Sequence, residues 1–144
     1  METSQSYNKI SFFYQNRRPR INKEKIQKWL EKVCLQENYT IVDLNYTFCS
    51  DESLLEINIQ HLNHDYYTDI ITFDLSDVSR EIEGDIYISV DRVRENAKNL
   101  KAGFEHEILR VIVHGLLHLM GYKDKTVSEA KTMREKEEES LMLY

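Results

Sequence analysis

The stretch His114-Gly115-Leu116-Leu117-His118-Leu119-Met120-Gly121-Tyr122-Lys123-Asp124 sets two imidazoles one helical turn apart, then a glycine break, then a carboxylate. Residues at i and i+4 share a helix face, and their side chains come close enough to hold one ion. Gly121 can take the left-handed conformation that ends a helix and folds the chain back, so Asp124 can supply a third ligand from the loop. Upstream, Glu105 to Met120 reads as the helix itself. It spaces Ile108, Val111, Ile112 and Leu116 along a buried face while the histidines project from another edge.

Working outward, strands and helices interleave. Ile10 to Gln15 predicts a short strand, followed by the basic turn Arg17-Arg18-Pro19-Arg20. From Asn22, an N-cap, apolar positions at Ile26, Leu30, Val33 and Leu35 predict an amphipathic helix. Tyr39 to Phe48 is rich in β-branched and aromatic residues and alternates, with Ile41, Asp43, Asn45 and Thr47 opposed to Val42, Leu44 and Tyr46, which predicts a strand. Asp51 to Leu62 reads as a helix, Ile70 to Leu75 and Glu83 to Ser89 as neighbouring strands, and Asp91 to Leu100 as a helix. Thr126-Val127-Ser128-Glu129 is a capping box that opens a last, charged helix. A mixed sheet covered by helices is the economical architecture for this order.

The 144 residues and 41% hydrophobic content fit one compact domain with a core that needs no disulfides. One proline and four glycines, with no repeat or low-complexity segment, leave nothing that marks a linker. The net charge of -6 argues against nucleic-acid binding through overall positive charge and leaves room for a local basic cleft. Cys34 and Cys49 form no Cys-x-x-Cys pair, and they read as buried free thiols in a reducing compartment. Met1 to Lys9 is polar, without the apolar run of an export signal, and no stretch approaches the ~20 apolar residues of a bilayer span. A cytoplasmic protein with no membrane partner is the expectation.

Two histidines at i,i+4, a helix-ending glycine and a carboxylate ten residues after the first imidazole predict a metal site at His114, His118 and Asp124. Nitrogen and carboxylate ligands with an open fourth position suit one catalytic Zn²⁺, and Ni²⁺, Co²⁺ or Cu²⁺ would also accept them. The spacing resembles the extended zincin pattern H-E-x-x-H-x-x-G-x-x-H, except that Gly115 stands where the peptidases carry the glutamate that acts as general base. Without that carboxylate, proteolysis is disfavoured.

Arg110, His114 and His118 form one stripe along the helix. Arg110 is the one candidate catalytic side chain, a cation for an anionic substrate such as a phosphodiester, unless it pairs with Glu107 or another acid. Glu107 reads as support for the site from behind rather than as a ligand. Arg17, Arg18, Arg20, Lys23, Lys25 and Lys28, with Tyr14 and Trp29 nearby, form either a solvated face or a phosphate-contacting rim for RNA. His61, His64 and His106 have no ligand spacing.

With these motifs in place, the chain resembles the YbeY family of bacterial rRNA maturation factors, metal-dependent single-strand endoribonucleases. The family signature H-G-x-L-H-L-x-G-Y-D-H is met from His114 to Tyr122 without a gap, and Glu107-x-x-Arg110-x-x-x-His114 before it is also similar. Leu62-Asn63-His64-Asp65-Tyr66 leading to Thr68-Asp69-Ile70-Ile71-Thr72-Phe73 resembles the block L-N-x-x-Y...T-D-V-L-S-F, and Gly84-Asp85-Ile86-Tyr87-Ile88-Ser89 resembles the strand G-D-I-x-I. Two departures stand out. Lys123-Asp124 replaces the usual Asp-His, so a carboxylate stands in for the third imidazole, lowers the site's net charge by one and makes a bound metal a weaker Lewis acid. Tyr67, on a shortened connection, stands where the family commonly has an arginine.

The resemblance implies an α+β fold: a small mixed four-stranded sheet packed with about five helices, the metal ligands carried on a zincin-like helix. It implies that residues 1–144 form a single metal-dependent hydrolase domain, a zinc-dependent endoribonuclease acting on precursor 16S rRNA at its 3′ end, in ribosome biogenesis and quality control. Partners would be RNA, a ribosomal particle or assembly proteins, and not DNA. The alternative from another class is a non-catalytic ribosome-assembly factor with a structural metal; a zincin-type metallopeptidase is the third reading.

Overall fold

The computed structural model describes residues 9–144. Of the polar stretch Met1 to Lys9, expected to lack an export signal, 1–8 lie outside the described residues. Four strands and five helices follow one another: β1 (Ile10–Tyr14), α1 (Lys23–Gln36), β2 (Thr40–Cys49), α2 (Asp51–Leu62), β3 (Ile70–Asp74), β4 (Glu81–Ser89), α3 (Val90–Asn99), α4 (Phe104–Leu119) and α5 (Val127–Leu141). This is the expected α+β architecture. The sheet order is β1-β2-β4-β3, with β1, β2 and β4 parallel and β3 antiparallel at the edge.

Local chemistry explains the helix starts. Asn22 caps α1 by accepting from the amide of Lys25, Ser50 caps α2, and Ser89 caps α3. Thr126 and Glu129 close the reciprocal capping box that opens α5. We expect Thr126→Ala to lower stability by about 1 kcal/mol, read as a lower urea midpoint at unchanged slope; an unchanged midpoint would show that α5 is held by packing alone.

One expectation for β2 needs correction. Its register shifts between Ile41 and Asp43, so strict alternation fails there: Ile41 lies buried with Leu44, Tyr46 and Phe48, while Val42 is exposed. A bulge places two residues opposite one and flips the side-chain parity on its N-terminal side. Trp29 also differs from the RNA-rim reading. It is buried, donates its indole N–H to the carbonyl of Ser140 at 2.6 Å and meets the Tyr144 ring edge-on, so it belongs to the core.

Successive strand residues face opposite sides of a sheet, and the two sides are covered unequally. One side carries the main core, built by α1, α3, α4 and α5 over Leu44, Tyr46, Phe48, Ile86 and Ile88. On the other side α2 packs over a small cluster centred on Cys49, Leu54 and Ile71. Both cysteines are free and buried, and burial pushes the Cys34 thiol up to about 12 and the Cys49 thiol to about 11. Among the described residues no helix is long and apolar enough to cross a membrane.

Candidate metal centre

α4 is buried along most of its length, and Gly115 explains how closely it lies on the sheet. A Cβ at this position would meet Ile70 Cδ1 and Ile86 Cδ1, each at 2.9 Å, so only glycine gives this approach without displacement. The absent side chain at 115 therefore points into the sheet. His114 and His118 flank it on the open edge of the helix and are only partly buried.

The helix ends in a Schellman turn. The Gly121 amide donates to the carbonyl of His118 and the Tyr122 amide to that of Leu117, with Gly121 at φ 101°. The turn is anchored twice more: Tyr39 Oη donates to the Met120 carbonyl at 2.8 Å, and Tyr122 Oη donates to Glu37 at 2.6 Å. Glu37 in turn pairs with Lys136 of α5 at 3.0 Å. The loop is thus fixed at both its start and its middle, and it delivers Asp124 to the histidines.

Nε2 of His114 and Nε2 of His118 each lie 3.3 Å from Oδ2 of Asp124. The three donor atoms fall within 4.8 Å of one another, the one such His, Cys, Asp or Glu group among the described residues. A tetrahedral ion with bonds of about 2.0–2.1 Å sets neighbouring donors about 3.3–3.4 Å apart. The observed separations match two edges of that tetrahedron, so His114, His118 and Asp124 could hold a metal ion. The donors are two neutral-capable imidazoles and one carboxylate, a set suited to divalent transition metals. His61, His64 and His106 stay outside this group.

Behind His114 lies a polar layer. Nδ1 of His114 is 2.5 Å from Oε2 of Glu137 on α5. The other oxygen of Glu137 accepts from Arg110 Nη1 at 3.1 Å, while Arg110 Nε and Nη2 grip Glu107 at 3.0 and 2.7 Å. Arg110 thus takes the paired arrangement, with three of its nitrogens committed to two acids. The hydrogen bonds to Glu107 come first among the interactions that hold its charged form. Burial pushes the Glu137 carboxyl up, but the hydrogen bond to His114 and the charge of Arg110 outweigh it and hold the group below its ordinary value. Asp69, just before β3, is raised by burial although the His114 and Arg110 charges pull it down; its carboxylate accepts from Asn96 at 3.3 Å.

Three of the N-terminal basic residues have partners of their own. Arg17 pairs with Asp91 at 2.8 Å, Arg18 lies over the Tyr14 ring at 4.4 Å, and Lys25 lies over the Tyr144 ring at 4.1 Å.

Glu137 is the site residue that sequence reading missed. It is one acid in the run Glu135-Lys136-Glu137-Glu138-Glu139 and looks like solvated helix. The available signal was positional: Met133, Glu137 and Ser140 share the buried face of α5, so one of these acids had to find a partner inside.

The family profile described as Endoribonuclease YbeY matches residues 11–144. The chain belongs to the YbeY family. A YbeY relative from Cytophaga hutchinsonii, named Endoribonuclease YbeY, is 56% identical over 118 residues, 82% of each chain. Another of that name, from Flavobacterium johnsoniae, is 44% identical over 94% of this chain and 96% of its own. A Thermotoga maritima protein solved in solution shares the fold, with a TM-score of 0.66 and 28% identity over 93% of this chain and 87% of its own. Membership extends the likeness read from the motifs, about Asp51 to Lys125, to nearly the whole chain.

Proposed function

We propose that this chain is a metal-dependent endoribonuclease that cleaves single-stranded RNA, with His114, His118 and Asp124 holding one divalent ion, Zn²⁺ by preference. The observation that carries the reading is the convergence of three donors on a solvent-facing edge, each histidine at tetrahedral spacing from Asp124. The name Endoribonuclease YbeY borne by relatives of high identity supports RNA as the partner. We extend this, by the motif resemblance, to precursor 16S rRNA at its 3′ end, with the whole chain acting as one cytoplasmic hydrolase domain.

When bound, the ion would supply Lewis acidity toward a phosphate oxygen. The protein's part is to orient and to exclude. His114 and His118 present Nε2 from a rigid helix, and Asp124 closes the set from a loop already braced by Tyr39, Tyr122 and Glu37. Arg110 acts by holding Glu137 behind His114, because reaching a phosphate directly would release a buried acid. Gly115 has no side chain and faces the sheet, so the position after His114 supplies no carboxylate to serve as a peptidase base. A purely structural metal fits less well: the loop is braced without it, and three donors leave a fourth position open.

The test is cleavage of a labelled single strand, of its duplex and of casein, before and after chelation. We expect cleavage of the single strand alone, lost on chelation and restored by Zn²⁺. Elemental analysis should show metal uptake that falls in Asp124→Ala. Undiminished cleavage by metal-free protein would overturn the reading.

A further inference from the structure

Glu137 commits both carboxylate oxygens within the protein, one to His114 Nδ1 and one to Arg110, and its side chain is 6% exposed. An ionised carboxylate can only accept, so the short contact requires that Nδ1 of His114 carry a proton. In a neutral imidazole the other nitrogen then bears the lone pair. That nitrogen, Nε2, is the one 3.3 Å from Asp124. Arg110 holds Glu137 in its accepting form, and Glu107, nine-tenths buried and more, holds Arg110. The layer joins α4 to α5, so the orientation of one imidazole depends on the docking of a separate helix.

His118 is placed differently. Among the described residues no hydrogen bond reaches its ring from behind, and its polar neighbour is Asp124.

We propose that Glu137 is a positioning residue for the metal centre: it fixes His114 in the tautomer whose Nε2 faces Asp124, while Arg110 and Glu107 fix Glu137. This rests on the metal reading above. The two imidazoles are unequal in consequence: His114 already presents its Nε2 lone pair before any ion arrives, while His118, facing only Asp124, gives up an Nε2 proton to ligate. A carboxylate behind a ligating imidazole also raises the basicity of the ring and thereby metal affinity.

The first measurement needs no variant. Nitrogen NMR of the histidine-labelled, metal-free chain, at a pH where both rings are neutral, should find His114 in the Nδ1–H tautomer and His118 mainly in the Nε2–H tautomer, whose proton faces Asp124. His114 predominantly in the Nε2–H form would overturn the proposal, as would a mixture at both rings. The second compares Glu137→Gln with the unaltered chain by chelator competition for Zn²⁺. We expect affinity about 10–100-fold weaker, with the His114 tautomers drifting toward those of His118 and the His118 signals unchanged. A folded Glu137→Gln that binds Zn²⁺ within twofold of the unaltered chain overturns the role of Glu137 and leaves the metal reading standing. No Zn²⁺ uptake by the unaltered chain overturns both, so the two failures are distinguishable.

Discussion

Gly115→Glu is expected to cost the chain its folded state rather than give it the base of a zinc peptidase. The substitution restores the zincin pattern H-E-x-x-H on paper. In the fold, however, the Cβ at 115 meets Ile70 and Ile86 at 2.9 Å, on the sheet side of α4 and away from the edge where the histidines sit. A carboxylate there would enter the apolar core between the side chains of Ile70 and Ile86. Leaving a charge buried and uncompensated costs about 3–5 kcal/mol, and overpacking adds about 1–3 kcal/mol. Against a total stability of roughly 5–15 kcal/mol, that is enough to unfold much of the population. Gly115→Ala is the control: its Cβ presses on the ends of flexible isoleucines, and the better helix propensity of alanine, about 1 kcal/mol, offsets part of the strain. Circular dichroism and urea unfolding of both variants, with casein digestion, check this. A Gly115→Glu protein that melts like the unaltered chain would contradict the placement of Gly115.

The second large effect concerns the imidazoles, and there the two histidines separate. His118→Ala should abolish RNA cleavage while leaving the fold within about 1 kcal/mol, because its ring is partly exposed and supports no other buried group. Losing the site's Lewis acid removes several kcal/mol of charge stabilisation, about 10²–10⁴ in rate. His114→Ala should lose cleavage equally and also destabilise the protein by about 1–3 kcal/mol, since it leaves Oε2 of buried Glu137 without its partner. Cleavage rates and urea midpoints for the pair give the comparison. Full activity in His118→Ala would remove the metal from the reaction.

Much of this architecture is legible from residue order because the local signals agree with one another. Asn22 and Thr126 announce helix starts, Gly121 announces the end of α4, and periods of two or of about three and a half separate strands from helices. The meeting of His114, His118 and Asp124 was also legible, since helix spacing and one turn determine it. What escaped depends on partners distant in sequence. The bulge near Val42 is a register relation between β2 and β4, invisible in β2 alone. Trp29 is core because Ser140 and Tyr144 come to it, not because of its basic neighbours. Arg110 could have served a substrate or an acid, and Glu137, 27 residues away on another helix, decided between them.

The unequal covering of the sheet has a dynamic consequence. Regions with few buried apolar contacts open locally at lower free energy than the core does. α2, resting on the small cluster around Leu54 and Ile71, belongs to the part of the molecule that opens first. α4 is embedded in the larger core and opens with the last of it. Fluctuation on one face of the sheet therefore leaves undisturbed the spacing of the imidazoles on the other, and the protein can breathe beside its metal centre without loosening it.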